Sequence, residues 1–198
     1  MKDFWDKRYS EHDFAYGTEP NVYFKQQIDL LKPGSVILPA DGEGRNAVYA
    51  ASQSWEAIAV DYSSEGREKA LRLANIQNVE IQYHLSDLEL FNFPAVTYDA
   101  AAFIYVHLPR SVIKLVYQNV IKSLKKGATI IVEVYSTNQL GRDSGGPQDE
   151  RVLYTKDSLR DLLSGTRIQL LEEQEIELFE GKYHNGKAMV LRALATRS

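Results

Sequence analysis

Short apolar runs alternate with amphipathic segments along most of the chain. Runs over residues 35–38, 56–60, 79–83, 98–105 and 128–135 have the length and apolar content of strands. The stretch 98–105 is apolar almost throughout, as a central strand covered on both faces requires. Between the runs, helices are predicted over 21–31, 46–52, 64–74, 110–124 and 155–164. Breakers such as Lys32-Pro33-Gly34 and Lys125-Lys126-Gly127 separate helix from strand. Two long extended stretches, 167–178 and 187–195, flank Glu180 to Gly186, which reads as a hairpin connection with His184 at its tip. The alternation predicts an α/β fold, a Rossmann-like doubly wound and mostly parallel sheet that ends in an antiparallel pair.

On such a sheet, ligands sit beyond the C-terminal ends of the strands. The first strand there enters the turn Ala40-Asp41-Gly42-Glu43-Gly44-Arg45-Asn46-Ala47, in which Gly42 and Gly44 let the backbone approach a ligand closely. Gly42-x-Gly44-x-x-Ala47 satisfies a dinucleotide fingerprint, and Asp61 follows at the spacing expected of a ribose-binding carboxylate. The glycines alone do not choose between a nicotinamide and an adenosyl cofactor. The same edge is expected to carry Asp61, Asp87, Tyr105 to His107 and Tyr135 to Thr137. Residues 1–24, rich in aromatic side chains, read as a flap, and 136–154 as a glycine-containing lid loop.

The chain has 198 residues, 44% hydrophobic and 25% charged, enough for one domain with a good core. A formal net charge of −4 argues against a protein that holds nucleic acid by a positive field. The absence of cysteine removes disulfides, thiolate metal sites and thiol nucleophiles together. No His/Asp/Glu cluster has ligand spacing, so no metal is expected. There is no signal core, and no apolar run approaches the ~20 residues of a membrane span. The expectation is a cytoplasmic monomer or homodimer that acts on a small molecule.

The order of elements resembles the seven-stranded class I S-adenosylmethionine-dependent methyltransferases. Within that class the chain is similar to the small tellurite-resistance and thiopurine types, through Trp5-Asp6-x-Arg8-Tyr9, Tyr16-Gly17-Thr18-Glu19-Pro20-Asn21, Gly42-Glu43-Gly44-Arg45-Asn46, His107-Leu108-Pro109 and Gly181-Lys182-Tyr183-His184-x-Gly186. The resemblance implies that Gly42 and Gly44 cradle the methionine part of the cofactor, with Ala40, Asp41, Arg45, Asn46 and Tyr62 also among its binding residues. It implies Asp61 at the ribose and Asp87 with Leu88 at the adenine. Ile104, Tyr105 and His107 would form the wall nearest the sulfur, with Tyr9 and Tyr16 covering it from the flap. The chain departs from the family pattern at Leu38, where an acidic residue is common, and at Ala40, where glycine is.

Methyl transfer from a sulfonium is an in-line displacement that needs a desolvated, correctly pointed nucleophile. A thiol or a chalcogen oxyanion such as tellurite or selenite is already reactive when ionised. His107, His184, Arg142 and Arg151 are the residues expected to orient it, the histidines by proton transfer near neutral pH and the arginines by a two-pronged clamp. Three rivals stay open: a protein that binds the cofactor without catalysis, an NAD-dependent oxidoreductase, and a nucleic-acid methyltransferase. The last lacks its usual Pro-Pro-aromatic turn, since Tyr105-Val106-His107-Leu108-Pro109 follows the fourth strand.

Overall fold

The computed structural model describes residues 2–198. In chain order the elements are α1 (Lys2–Tyr9), α2 (Val22–Ile28), β1 (Ser35–Pro39), α3 (Arg45–Ser52), β2 (Glu56–Asp61), α4 (Ser64–Ile76) and β3 (Gln82–Leu85). They continue with β4 (Tyr98–Ile104), α5 (Arg110–Ser123), β5 (Leu124–Tyr135), α6 (Lys156–Leu162), β6 (Thr166–Glu180) and β7 (His184–Arg197). The strands form one seven-stranded sheet in the order β3-β2-β1-β4-β5-β7-β6. The first five are mutually parallel, and β7 pairs antiparallel with both β5 and β6. The order reverses between β1 and β4, which opens a crevice at their C-terminal ends.

Alternate side chains point to opposite faces, and each face has its own core. Ile37, Ala101, Phe103, Ile130 and Val132 meet Ile113, Val116, Tyr117 and Val120 of α5. Val36, Leu38, Ala57, Ala100 and Ala102 meet Phe24 and Ile28 of α2 and Ala47 and Ala50 of α3. Helix starts follow local chemistry: Asn21 and Ser63 accept from the amides of Phe24 and Gly66, and Thr155 and Ser158 form a reciprocal capping box.

Several expected boundaries are corrected: α2 ends at Ile28 rather than 31, β7 starts at His184 rather than 187, and two strands of the parallel part start elsewhere. The third strand runs Gln82–Leu85 rather than 79–83. Asn78 takes a positive φ of 53°, and Val79 and Ile81 instead pack on Val48 and Leu73, which leaves pairing to the residues beyond. The fifth strand begins at Leu124, ahead of the expected 128, because buried Leu124 pairs with Tyr98 across an irregularity that Gly127, at φ 82°, accommodates. No helix among the described residues is long and apolar enough to cross a membrane.

Candidate active site

The turn after β1 is built of unusual backbone. Ala40, Gly42 and Gly44 all have positive φ, at 54°, 54° and 79°. Ala40 thus adopts the conformation that glycine would serve without strain. A Cβ at Gly44 would lie 2.4 Å from that of Ala70, so the bare glycine lets α3 and α4 close on each other. A Cβ at Gly42 would lie 2.4 Å from the hydroxyl of Tyr9, whose ring comes down from α1 onto the turn. Asp41 accepts from the Ala47 amide at 3.0 Å and from the Asn46 side chain at 3.0 Å, and so caps α3 in place of the uncapping Gly44. Leu38 is buried in the core behind the turn, so it presents nothing to the crevice.

Asp61 ends β2 with both oxygens on backbone amides, Gly42 at 3.1 Å and Ser63 at 2.9 Å. Burial pushes its carboxyl up to about 6 and that of Asp41 up to about 7. A cavity of about 460 Å³ opens beside it, lined by Ala40, Asp61, Tyr62, Asp87, Leu88 and Val112 among others. The Tyr62 hydroxyl is shut from solvent and has no hydrogen-bond partner. Asp87 lies exposed in the cavity lining and accepts from the Glu89 amide in a tight turn. A cavity of this size, lined by two carboxylates and a tyrosine, has room for a small polar ligand.

The flap is tied to the glycine turn by the turn's own charged side chains. Glu43 accepts from the Ala15 amide at 2.8 Å and from Lys69 at 2.8 Å. Arg45 donates to the carbonyls of Tyr16 and Glu19 and forms a buried ion pair with Glu180 at 2.8 Å. Asn46 accepts from the Asn21 amide at 2.9 Å. Arg45 and Asn46, expected among the cofactor's neighbours, therefore spend their side-chain polar atoms on the flap, on β6 and on Asp41.

Beyond the cavity is a cluster of rings. Tyr105, at φ 53° just past β4, stacks on Tyr135 with centroids 4.7 Å apart and meets His184 edge-on at 4.6 Å. His184 also lies 4.3 Å from the ring of Tyr16. Far from being an exposed tip residue, His184 is buried at the first position of β7 and points Nδ1 at Glu180, 3.2 Å away. Burial lowers its pKa, so the ring is neutral near pH 7, and no hydrogen bond is made by Nε2 among the described residues. His107 is placed differently. Nδ1 bonds the Val152 carbonyl at 2.9 Å, and Nε2 takes the Tyr135 amide at 3.2 Å. Burial brings it down to about 4, and no ring nitrogen is left for a substrate. Ile104 is half-buried at the end of β4 and packs on the α2–α3 side of the sheet.

Residues 136–154 contain two short 3₁₀ turns and lie down over the rings. Gly145 and Gly146 approach so closely that a Cβ at Gly145 would be 2.9 Å from the Tyr135 hydroxyl. Gln139 holds this loop from below through Ser144 and the Gly145 carbonyl, both at 2.9 Å. The arginines of the loop point elsewhere: Arg142 pairs with Glu175, and the largely exposed Arg151 pairs with Asp149. The clamp expected of them is not assembled in this conformation. Among the described residues no group of His, Asp or Glu is placed to hold a metal.

Sequence reading missed Glu133. It is fully buried in β5, yet accepts from Tyr105 at 2.7 Å, from Asn21 at 2.6 Å and from Arg192 at 2.5 Å. A single glutamate inside an apolar strand run was the available signal.

The reversed strand order and the crevice built on it define a class I methyltransferase fold. Residues 39–127 match the family model described as a methyltransferase domain, which spans the glycine turn, Asp61 and Asp87. That domain implies S-adenosylmethionine as the cofactor and S-adenosylhomocysteine as the product. Among solved structures, the fold is similar to a protein described under the conversion of a disulfide bond into a thioacetal group during echinomycin biosynthesis. The TM-score is 0.81 at 14% identity, over 100% of this chain and 92% of that one. It is also similar to TehB from Haemophilus influenzae, with TM-score 0.74 and 16% identity over 100% of this chain and 67% of that one. A methyltransferase from Methanosarcina mazei gives 0.68 at 16% over 89% and 98%. No curated protein matches by sequence.

Proposed function

We propose that the protein transfers the methyl group of S-adenosylmethionine to a soft atom of a small acceptor, a thiol or a chalcogen oxyanion of the tellurite or selenite kind, in the cytoplasm. The observation that carries this reading is the shortage of acid–base groups at the ring cluster. His107 has no free nitrogen, the Tyr105 hydroxyl is committed to Glu133, and the pKa of the unpartnered Tyr135 hydroxyl is pushed well up by burial. Among the described residues of the cluster, Nε2 of His184 is the one unpaired ring nitrogen left to hold or take a proton. An acceptor that arrives ionised needs no more than this. The cover of Tyr9, Tyr16, Gly145 and Gly146 favours a small molecule over a polymer.

When bound, the cofactor supplies an activated methyl on a sulfonium. Around it, Asp61 and Tyr62 would meet the ribose and Asp87 the adenine amine, while Ala40 to Gly44 would border the methionine part. Tyr105 and Tyr16 would offer aromatic faces toward the positive sulfur. His184, steadied by Glu180, would orient the acceptor, and Arg142 and Arg151 would reach it only after the loop rearranges.

Calorimetric titration with S-adenosylmethionine, S-adenosylhomocysteine and NAD tests the cofactor. Binding of the adenosyl pair, weakened by Asp61→Ala and by Asp87→Ala, is the expected result; preference for NAD would defeat it. A panel of thiols and chalcogen oxyanions then tests the acceptor. Tight binding without turnover on any acceptor would favour the non-catalytic reading.

A further inference from the structure

A carboxylate with no exposed surface in the middle of a β-sheet is costly unless it is fully bonded, and Glu133 is. Its two oxygens face different ways. Oε2 takes Arg192 from the neighbouring strand β7, opposite in register, so the guanidinium balances the charge from the far side. Oε1 takes only neutral donors, the hydroxyl of Tyr105 and the amide nitrogen of Asn21, which it shares with Glu180 at 3.1 Å. The negative end of the Glu133–Arg192 pair is therefore turned toward Tyr105. Among the described residues, Arg45 and Glu180 nearby pair with each other at 2.8 Å, Glu172 stands on the far side opposite Arg192, and burial lowers the pKa of His184.

Tyr105 stands at the end of β4 in a left-handed conformation, with one face against Tyr135. A phenol that donates to a carboxylate gains electron density in its ring, and the ring's attraction for a cation rises with it. Simple anchoring of Tyr105 does not require a charge, since a neutral acceptor would hold the hydroxyl as well. We infer that Glu133 is a positioning residue that, through Tyr105, makes the site favour the sulfonium cofactor over its neutral thioether product. This rests on the placement of Tyr105 against the sulfur in the reading above. It adds a specific consequence: bound product is released in favour of fresh cofactor by a difference in charge recognition, and a residue that never touches either ligand sets that difference.

The test needs no acceptor. The ratio of dissociation constants for S-adenosylmethionine and S-adenosylhomocysteine is measured by calorimetry for the parent, Glu133→Gln, Tyr105→Phe and the double variant, with thermal melts alongside. Each single substitution is expected to shift the ratio toward the thioether by about three- to tenfold. The double variant is expected to go no further than Glu133→Gln, because both changes act along one path. An unchanged ratio in Tyr105→Phe, or shifts that multiply in the double variant, would overturn the inference. So would a lowered melting temperature with both affinities weakened equally, which is what a merely structural role gives. If Glu133→Gln does not fold, Tyr105→Phe decides alone. A parent protein that binds neither adenosyl ligand would instead refute the cofactor reading itself.

Discussion

Replacing Gly42 by alanine separates two costs that the structure assigns to one atom. The residue sits at φ +54°, where a side chain costs about 1–2 kcal/mol. The new Cβ would also fall 2.4 Å from the Tyr9 hydroxyl and 2.9 Å from its Cζ. Those contacts are far inside van der Waals distance, and the ring, 6% exposed and stacked on Trp5, has little room to retreat. Overpacking of this kind costs about 1–3 kcal/mol, for a total of about 2–5 kcal/mol. For a chain of this size that lowers the melting temperature by about 5–15 °C. The informative assay is a double-mutant cycle by denaturant melts. Tyr9→Ala is destabilising in the parent, but in the Gly42→Ala background it removes the collision, so its cost there is smaller by about 1–3 kcal/mol. Strictly additive effects would show that Tyr9 does not rest on the turn. A melting temperature within about 2 °C of the parent for Gly42→Ala would refute the strained backbone as well.

Asp41, raised to about 7 by burial, contributes stability that is complete below its unfolded value near 3.8 and is lost as pH rises through 7. Asp41→Asn is therefore expected to gain on the parent by about 2 kcal/mol between pH 4 and 8, allowing for partial exposure, as read from urea melts across that range. His107, held near 4 between two backbone groups, is expected to stay neutral down to about pH 5 in a histidine NMR titration. Protonation at its ordinary value near 6.5 would contradict its placement. Glu180→Ala leaves Arg45 buried without its carboxylate and is expected to cost about 3–5 kcal/mol by chemical denaturation. A loss under about 1 kcal/mol would show that the pair is solvated.

Most of the sheet was legible because its strands are read by period and by breakers, and both are local. The strands that carry Asp61 and Tyr105 fell within a residue of their expected ends for that reason. The third strand slipped because Val79 and Ile81 alternate as a strand would, yet their apolar side chains found a helix pair to pack on. The shape of the turn after β1 was legible where backbone decides, at Gly42, Gly44 and Asp61. It was not legible where partners are distant in sequence. Arg45 and Asn46 read as ligand residues because they follow the two glycines, but their partners Glu180 and Asn21 are 135 and 25 residues away. The tip-like surroundings of His184 gave no hint that Tyr16 and Tyr105 close over it.

The bonds that Glu43, Arg45 and Asn46 send back to Ala15, Tyr16, Glu19 and Asn21 bear on how a ligand gets in and out. Three side chains of this turn, two of them charged, hold the same short segment, and Lys69 adds a bond to the Asp13 carbonyl. Such a cover does not swing on a hinge. It is released by giving up several buried bonds at once, as a cooperative local unfolding of the first twenty or so residues. Traffic through the crevice is then timed by the stability of that segment, and hydrogen exchange at its amides would run on the same clock as ligand dissociation.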